Sequence, residues 1–112
     1  MELRHLRAFS AIAESHSFSK AARQLHVAQP PLSRQISQLE RELGVKLFVR
    51  ATSGVELTRE GAALLEQART VLADTAGFLD LAGRAKAGLL NPLRVVLLAT
   101  DVERGYIDFA RA

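Results

Sequence analysis

Hydrophobic positions near the start of the chain recur at three- and four-residue intervals. Leu3, Leu6, Phe9, Ile12 and Ala13 fall on one stripe of an amphipathic helix, and Ser15-His16-Ser17 interrupts it. Ser19 then precedes Lys20-Ala21-Ala22-Arg23-Gln24-Leu25, a run of good helix formers behind a serine able to accept a free backbone N–H. This predicts a short second helix. Beyond His26-Val27-Ala28, Gln29 leads into Pro30 and Pro31, whose missing N–H groups are tolerated only in a first helical turn. A third helix is therefore predicted from about Pro30 to Leu43, with Gly44 as its terminator. Leu32, Ile36, Leu39 and Leu43 share one narrow sector of it and form the expected core face.

Two short β-prone runs, Leu47 to Arg50 and Val55 to Leu57, flank the turn residues Ala51-Thr52-Ser53-Gly54 and predict a hairpin. Thr58 then offers an N-cap, with Glu60 in the electropositive first turn, and no proline follows until Pro92. That allows a helix of about thirty residues, in which Gly77 costs about 1 kcal/mol relative to alanine. Leu64, Val71, Phe78 and Ala85 repeat every seven residues, with Leu65, Ala68, Leu72, Thr75, Leu79 and Ala82 between them. A single helix cannot bury so long a seam. Its polar face mixes Arg with Glu and Asp, unlike the basic face of a membrane-surface helix. Between an intramolecular core and a dimer interface, the second is expected, through Leu64, Leu65, Ala68, Val71, Leu72, Thr75, Phe78, Leu79 and Ala82. Gly88 to Pro92 reads as a hinge, and Leu93 to Ala99 as a buried strand with no sheet to join. Residues 89–112 thus resemble the opening of a second domain. The fold class expected is mainly α.

Composition narrows the possibilities. With 112 residues, 48% hydrophobic and 24% charged, the chain has the makeup of an ordinary globular domain. The absence of cysteine excludes disulfides, thiolate metal sites and thiol nucleophiles. Charge in Met1-Glu2-Leu3-Arg4-His5 is at odds with a signal peptide, and no uncharged stretch approaches the ~20 residues of a membrane span. A soluble intracellular protein is expected. The net charge of +3 lies in residues 1–57, which carry eight Lys/Arg against five Asp/Glu, while the remainder is balanced. His5, His16 and His26 have no metal-ligand spacing and read as surface or helix-end residues. Every Asp lies at or beyond Asp74 and every His at or before His26, and neither a nucleophile elbow nor a phosphate cradle occurs. No catalytic residue, metal or cofactor is expected, and the chain is not read as an enzyme.

The chemistry concentrates on the third helix. Opposite its core face lie Pro30, Arg34, Ser37, Gln38 and Arg41, with Ser33 at the edge and Glu40 and Glu42 on the flanks. A short helix, a tight turn and a second helix with such an outer face match a helix-turn-helix, whose second helix lies in the major groove. Arg donates two bonds to guanine, Gln pairs with adenine, and Ser serves bases or phosphates. The outer face alone fits a merely solvated helix equally well. The hairpin that follows, with Arg50 at its base, favours a winged helix-turn-helix on DNA.

The same residues carry a family resemblance. Leu6-x-x-Phe9, Ser19-x-Ala21-Ala22-x-x-Leu25, Ala28-Gln29-Pro30-Pro31-Leu32-Ser33-Arg34-Gln35-Ile36, Leu39-Glu40-x-x-Leu43-Gly44, Leu47-Phe48-x-Arg50 and Leu57-Thr58-x-x-Gly61 resemble the LysR-type bacterial transcriptional regulators, collinearly over residues 1 to about 65. The resemblance implies a winged helix-turn-helix domain over residues 1–58 (helix-turn-helix about 18–37, wing about 46–57) and a linker and dimerisation helix over 59–88. It also implies a truncated start of an effector-binding domain over 89–112. It further implies double-stranded promoter DNA as partner, a dimer or dimer of dimers, and a cytoplasmic, bacterial setting. Carried over by position, the expected DNA contacts are Gln29, Pro30, Pro31, Ser33, Arg34 and Gln38 of the recognition helix, Ser19 and Lys20 of the helix before it, Arg50 at the base of the wing and Ser53 in its turn. The wing tip, where the family commonly has a basic residue, is Ser53 here. The amino-terminal half is most similar to members that control aromatic-compound catabolism. Because the family's inducer pocket lies further along than this chain extends, no effector is expected to bind it. An alternative follows, in which the chain pairs with full-length regulators through its long helix and modulates them.

Overall fold

The computed structural model describes residues 1–89, so the strand expected over residues 93–99 lies outside the described residues. Three helices come first: α1 (Leu3–Ser15), α2 (Phe18–Leu25) and α3 (Gln29–Leu43). An antiparallel hairpin of β1 (Phe48–Ala51) and β2 (Gly54–Leu57) follows, then α4 (Arg59–Lys86). The chain is mainly α, with a two-stranded wing and a long final helix. It divides after Thr75 into two compact units, and the first, Met1–Thr75, holds the helices, the wing and the first half of α4.

The core of the first unit forms where α1 packs on α2, α3 and β2. Phe9, Ile12, Leu32, Leu39 and Leu47 have almost no exposure, and Ala8, Ala21 and Ala22 keep α1 and α2 close. Phe48 extends the core under the wing, its ring edge-on to Phe9 at 5.6 Å and to Phe18 at 6.2 Å. Leu32, Ile36 and Leu39 face this core as their spacing predicts, but Leu43 is 42% exposed. It sits in the last turn of α3, past the edge of the core. Nearby, the Met1 ammonium pairs with Glu42 at 2.7 Å, a hydrogen bond that holds the Glu42 carboxyl below its ordinary pKa.

The start of α2 departs from its sequence reading. The cap is Ser17, whose hydroxyl accepts the Lys20 N–H at 3.1 Å, while Ser19 lies inside the helix. Phe18 draws the start forward, since it is partly buried at the first helical position, against Phe48. The expected cap of α4 is present: the Thr58 hydroxyl accepts the Gly61 N–H at 2.8 Å and donates to the Lys46 carbonyl at 2.6 Å. At the other end Leu89 N–H reaches Arg84 O and Gly88 N–H reaches Ala85 O. With Gly88 at φ 73°, this is the double hydrogen bond that closes a helix on a left-handed glycine.

His16 and His26 are helix-end residues, both left-handed C-caps at φ 58°. His5 is a helix-end residue too, but not a surface one: it is 1% exposed, and its Nδ1 accepts the Glu2 N–H at 3.0 Å. Packing of α1 against the end of α3 encloses it.

The seam of α4 is divided. Leu65 and Ala68 are buried in the core of the first unit, and Val71 and Leu72 are partly buried against it. Leu64 is exposed at 37%, and in the second unit Phe78 and Leu79 are exposed at 71% and 59%. The helix runs unbroken through Gly77. None of the described helices is long and apolar enough to cross a membrane.

Candidate nucleic-acid interface

α3 opens with Gln29, Pro30 and Pro31, so the two prolines fall in the first turn, where their lack of N–H leaves no intrahelical bond unmade. With Leu32, Ile36 and Leu39 fixed against α1, the helix cannot rotate, and its opposite face is held to solvent. That face borders an open groove of about 640 Å³ lined by Pro31, Ser33, Arg34, Gln35, Ser37, Gln38 and Arg41, and by Arg4 from α1. Pro30 is exposed at the head of the helix, outside this groove. Among the described residues Arg4 pairs with Glu2 alone, at 3.3 Å on an exposed surface, an interaction of small energy. Among the described residues, no carboxylate forms an ion pair with Arg34 or Arg41.

A second groove, of about 340 Å³, lies where α2, the head of α3 and the wing meet. It brings together Ser19, Lys20, Gln29, Arg50 and Ser53, five residues spread over thirty-five positions of sequence, with Ser17 and His16 beside them. The Ser19 hydroxyl donates to Gln29 Oε1 at 3.0 Å. That bond occupies the oxygen of the Gln29 amide and leaves its NH2 free to donate outward. Lys20 and Arg50 are exposed and form no ion pair with any described residue. The wing is set by its register, Phe48 opposite Leu57 through Ala51 opposite Gly54, with Thr52 and Ser53 as the two-residue turn.

The two grooves are lined by hydroxyls, amides and cations, and among the described residues no carboxylate pairs with Arg34, Arg41, Lys20 or Arg50. Such a surface suits an anionic, hydrogen-bonding polymer. No cluster of described residues has the composition of a metal site. The structure gathers nine of the ten candidate DNA contacts along these two grooves and leaves Pro30 beside them. Sequence reasoning did not assign Arg4, because no spacing within α1 reveals that it crosses the face of α3. Ser37 and Arg41 were legible as outer-face positions on α3.

Comparison with known proteins places these features in a family. Residues 3–62 match the family described as bacterial regulatory helix-turn-helix protein, lysR family. The chain is similar to the HTH-type transcriptional regulator TfdT of Cupriavidus pinatubonensis (strain JMP 134 / LMG 1197), at 43% identity over 99% of this chain and 49% of TfdT, so it spans about half the length of that relative. Among solved structures, the BenM_DBD/catB site 1 DNA complex resembles it with a TM-score of 0.77 at 43% identity, covering 82% of this chain and 99% of the other. The CbnR_DBD–DNA complex does so with a TM-score of 0.68 at 47% identity, covering 78% and 99%.

Proposed function

Because the chain belongs to the LysR family of bacterial helix-turn-helix regulators, we propose that it is a sequence-specific DNA-binding module of transcription regulation. In this reading α3 enters the major groove of promoter DNA. Arg34, Gln38 and Ser33 face base edges and nearby phosphates, Gln29, Pro30 and Pro31 seat the head of the helix, and Ser19, Lys20, Arg50 and Ser53 follow the backbone. The observation that carries the reading is the pair of polar grooves on α3 and beside the wing, in which Arg34, Arg41, Lys20 and Arg50 form no ion pair with any described carboxylate. The likeness to two DNA-binding domains solved in complex with DNA supports it. Ser53 at the wing tip adds hydrogen bonding but no charge, so the wing's electrostatic grip falls to Arg50.

The module acts as a homodimer in the cytoplasm, pairing through the second half of α4, where Phe78 and Leu79 are exposed. The same surface supports a second reading, in which the chain mixes with longer relatives through α4 and modulates them.

The test is titration against a duplex from upstream of the chain's own gene and against a scrambled duplex, by fluorescence anisotropy at two salt concentrations. Preference for the upstream duplex that survives the higher salt is expected. Equal, salt-sensitive binding to both would overturn sequence reading. Arg34→Ala should cost roughly 1 to 3 kcal/mol of specific binding, and unchanged affinity would overturn the assignment of Arg34 to a base.

A further inference from the structure

His16 does more than end α1. Its φ of 58° is left-handed, a conformation uncommon outside glycine, and it turns the backbone carbonyl toward the wing. That carbonyl accepts the Val55 N–H at 3.1 Å, while the ring Nδ1 stands 3.3 Å from the Val55 carbonyl oxygen. A carbonyl oxygen only accepts, so Nδ1 carries the proton and donates. In an antiparallel strand both polar groups of one residue point to the same side. Those of Val55 therefore turn away from Arg50, its cross-strand partner, and toward His16. His16 takes the place of a third strand, one residue long, on the free edge of β2. Approach is so close that a Cβ on neighbouring Gly54, at φ 132°, would collide with the His16 carbonyl oxygen.

A hairpin of two four-residue strands has little stability of its own and takes its orientation from what it packs on. Phe48 anchors β1 through the rings of Phe9 and Phe18, and the bonds to His16 anchor β2. Directly across from Val55 is Arg50, and next to Gly54 in the turn is Ser53. We propose that His16 is a positioning residue for DNA binding, holding β2 so that Arg50 and Ser53 stand beside Lys20 and Gln29 along one phosphate track. The proposal rests on the DNA-binding reading. His16 acts through the wing, by the bond from its Nδ1 to the Val55 carbonyl.

The experiment compares the 112-residue chain with His16→Gly, Arg50→Ala and the double variant, using the upstream duplex over a range of salt concentrations. Glycine keeps the left-handed backbone without strain and removes only the ring, so His16→Gly folds with an unchanged or higher Tm. It should nonetheless bind about tenfold more weakly, comparably to the loss of one charge-assisted hydrogen bond. The slope of log affinity against log salt should fall by about 0.9 for each phosphate that the variant no longer engages. In the Arg50→Ala background the same change should add little. Wild-type affinity in His16→Gly, or losses that add in full, would overturn the proposal. Without DNA, loss of the ring's bond to the Val55 carbonyl should also loosen the retained bond from the Val55 N–H to the residue-16 carbonyl. Hydrogen exchange of the Val55 amide should therefore be faster in His16→Gly, and unaltered protection would overturn the ring's part in the anchoring. His16→Asn, which tolerates the left-handed conformation and presents an amide donor, should recover part of the affinity. A wild-type chain that binds neither duplex at any salt would instead overturn the DNA-binding reading, and with it the role of the anchored wing.

Discussion

The Glu40 carboxylate accepts the backbone N–H of Leu47 at 2.8 Å, which ties the last turns of α3 to the residue that leads into the wing. The same oxygen lies 3.4 Å from the Phe48 nitrogen, and the side chain is only 12% exposed. Leu47 itself is fully buried, so its N–H has no water to turn to. Glu40→Ala should therefore cost about 1 to 3 kcal/mol, the penalty of an unsatisfied buried donor, measured by urea denaturation. Lys46 pairs with Glu40 at 3.7 Å from a side chain that is 80% exposed. Lys46→Ala should change stability by less than about 0.5 kcal/mol. Equal effects of the two would mean that the ion pair, and not the backbone bond, is what matters.

Gly61 and Gly77 occupy the same helix and should respond oppositely to alanine. A Cβ at Gly61 would run into the Leu47 carbonyl oxygen, which already accepts the Thr58 N–H at 2.9 Å. That contact is with backbone and cannot swing aside, so Gly61→Ala should destabilise by about 1 to 3 kcal/mol. Gly77 has nothing within 4 Å of where its Cβ would stand. Gly77→Ala should stabilise α4 by about 0.5 to 1 kcal/mol through helix propensity. Circular dichroism melts of both variants check the pair of signs.

Ser17 and Ser19 separate folding from binding. As the cap of α2, Ser17 satisfies the Lys20 N–H, and Ser17→Ala should cost about 1 kcal/mol of stability. Among the described residues the Ser19 hydroxyl bonds the exposed Gln29 side chain alone. Ser19→Ala should leave the melting midpoint nearly unchanged, yet free the Gln29 amide to rotate and weaken DNA binding by about threefold. A drop in Tm without a drop in affinity would reverse these roles.

The same two serines show how far the sequence could be read. Local signals were sufficient where one residue determines the outcome: the prolines at the head of α3, Gly44 at its end, and the Thr58 cap of α4. The outer face of α3 was legible because its core face was periodic. What failed depends on contacts distant in sequence. The cap of α2 moved to Ser17 because Phe18 packs on Phe48, thirty positions away. His5 is buried by the crossing of α1 and α3, and Glu40 looks like a flank residue until the chain returns with Leu47. Arg4 reaches the α3 groove for the same reason. Periodicity of α4 gave an apolar stripe but not its partner, since the domain's own core and a second chain demand the same residue types.

That ambiguity leads to a test of the α4 surface. Leu65 is 7% exposed and lies within the core, so Leu65→Ala should lower folding stability by about 2 to 5 kcal/mol whatever the state of association. Val71 and Leu72 are partly buried against the same core, and a charge at either would disturb the fold together with any interface. Phe78 is free of this confusion, being 71% exposed in the second unit. An exposed ring contributes little to the folding of its own chain, but buried against a second copy it supplies a large share of the apolar contact. Phe78→Glu should leave the domain's hydrogen-exchange protection intact while shifting the chain toward monomer in sedimentation velocity. Because cooperative occupancy of paired half-sites requires the dimer, the same variant should lose affinity for a two-half-site duplex more than for a single half-site. Unaltered sedimentation would overturn pairing through the second half of α4.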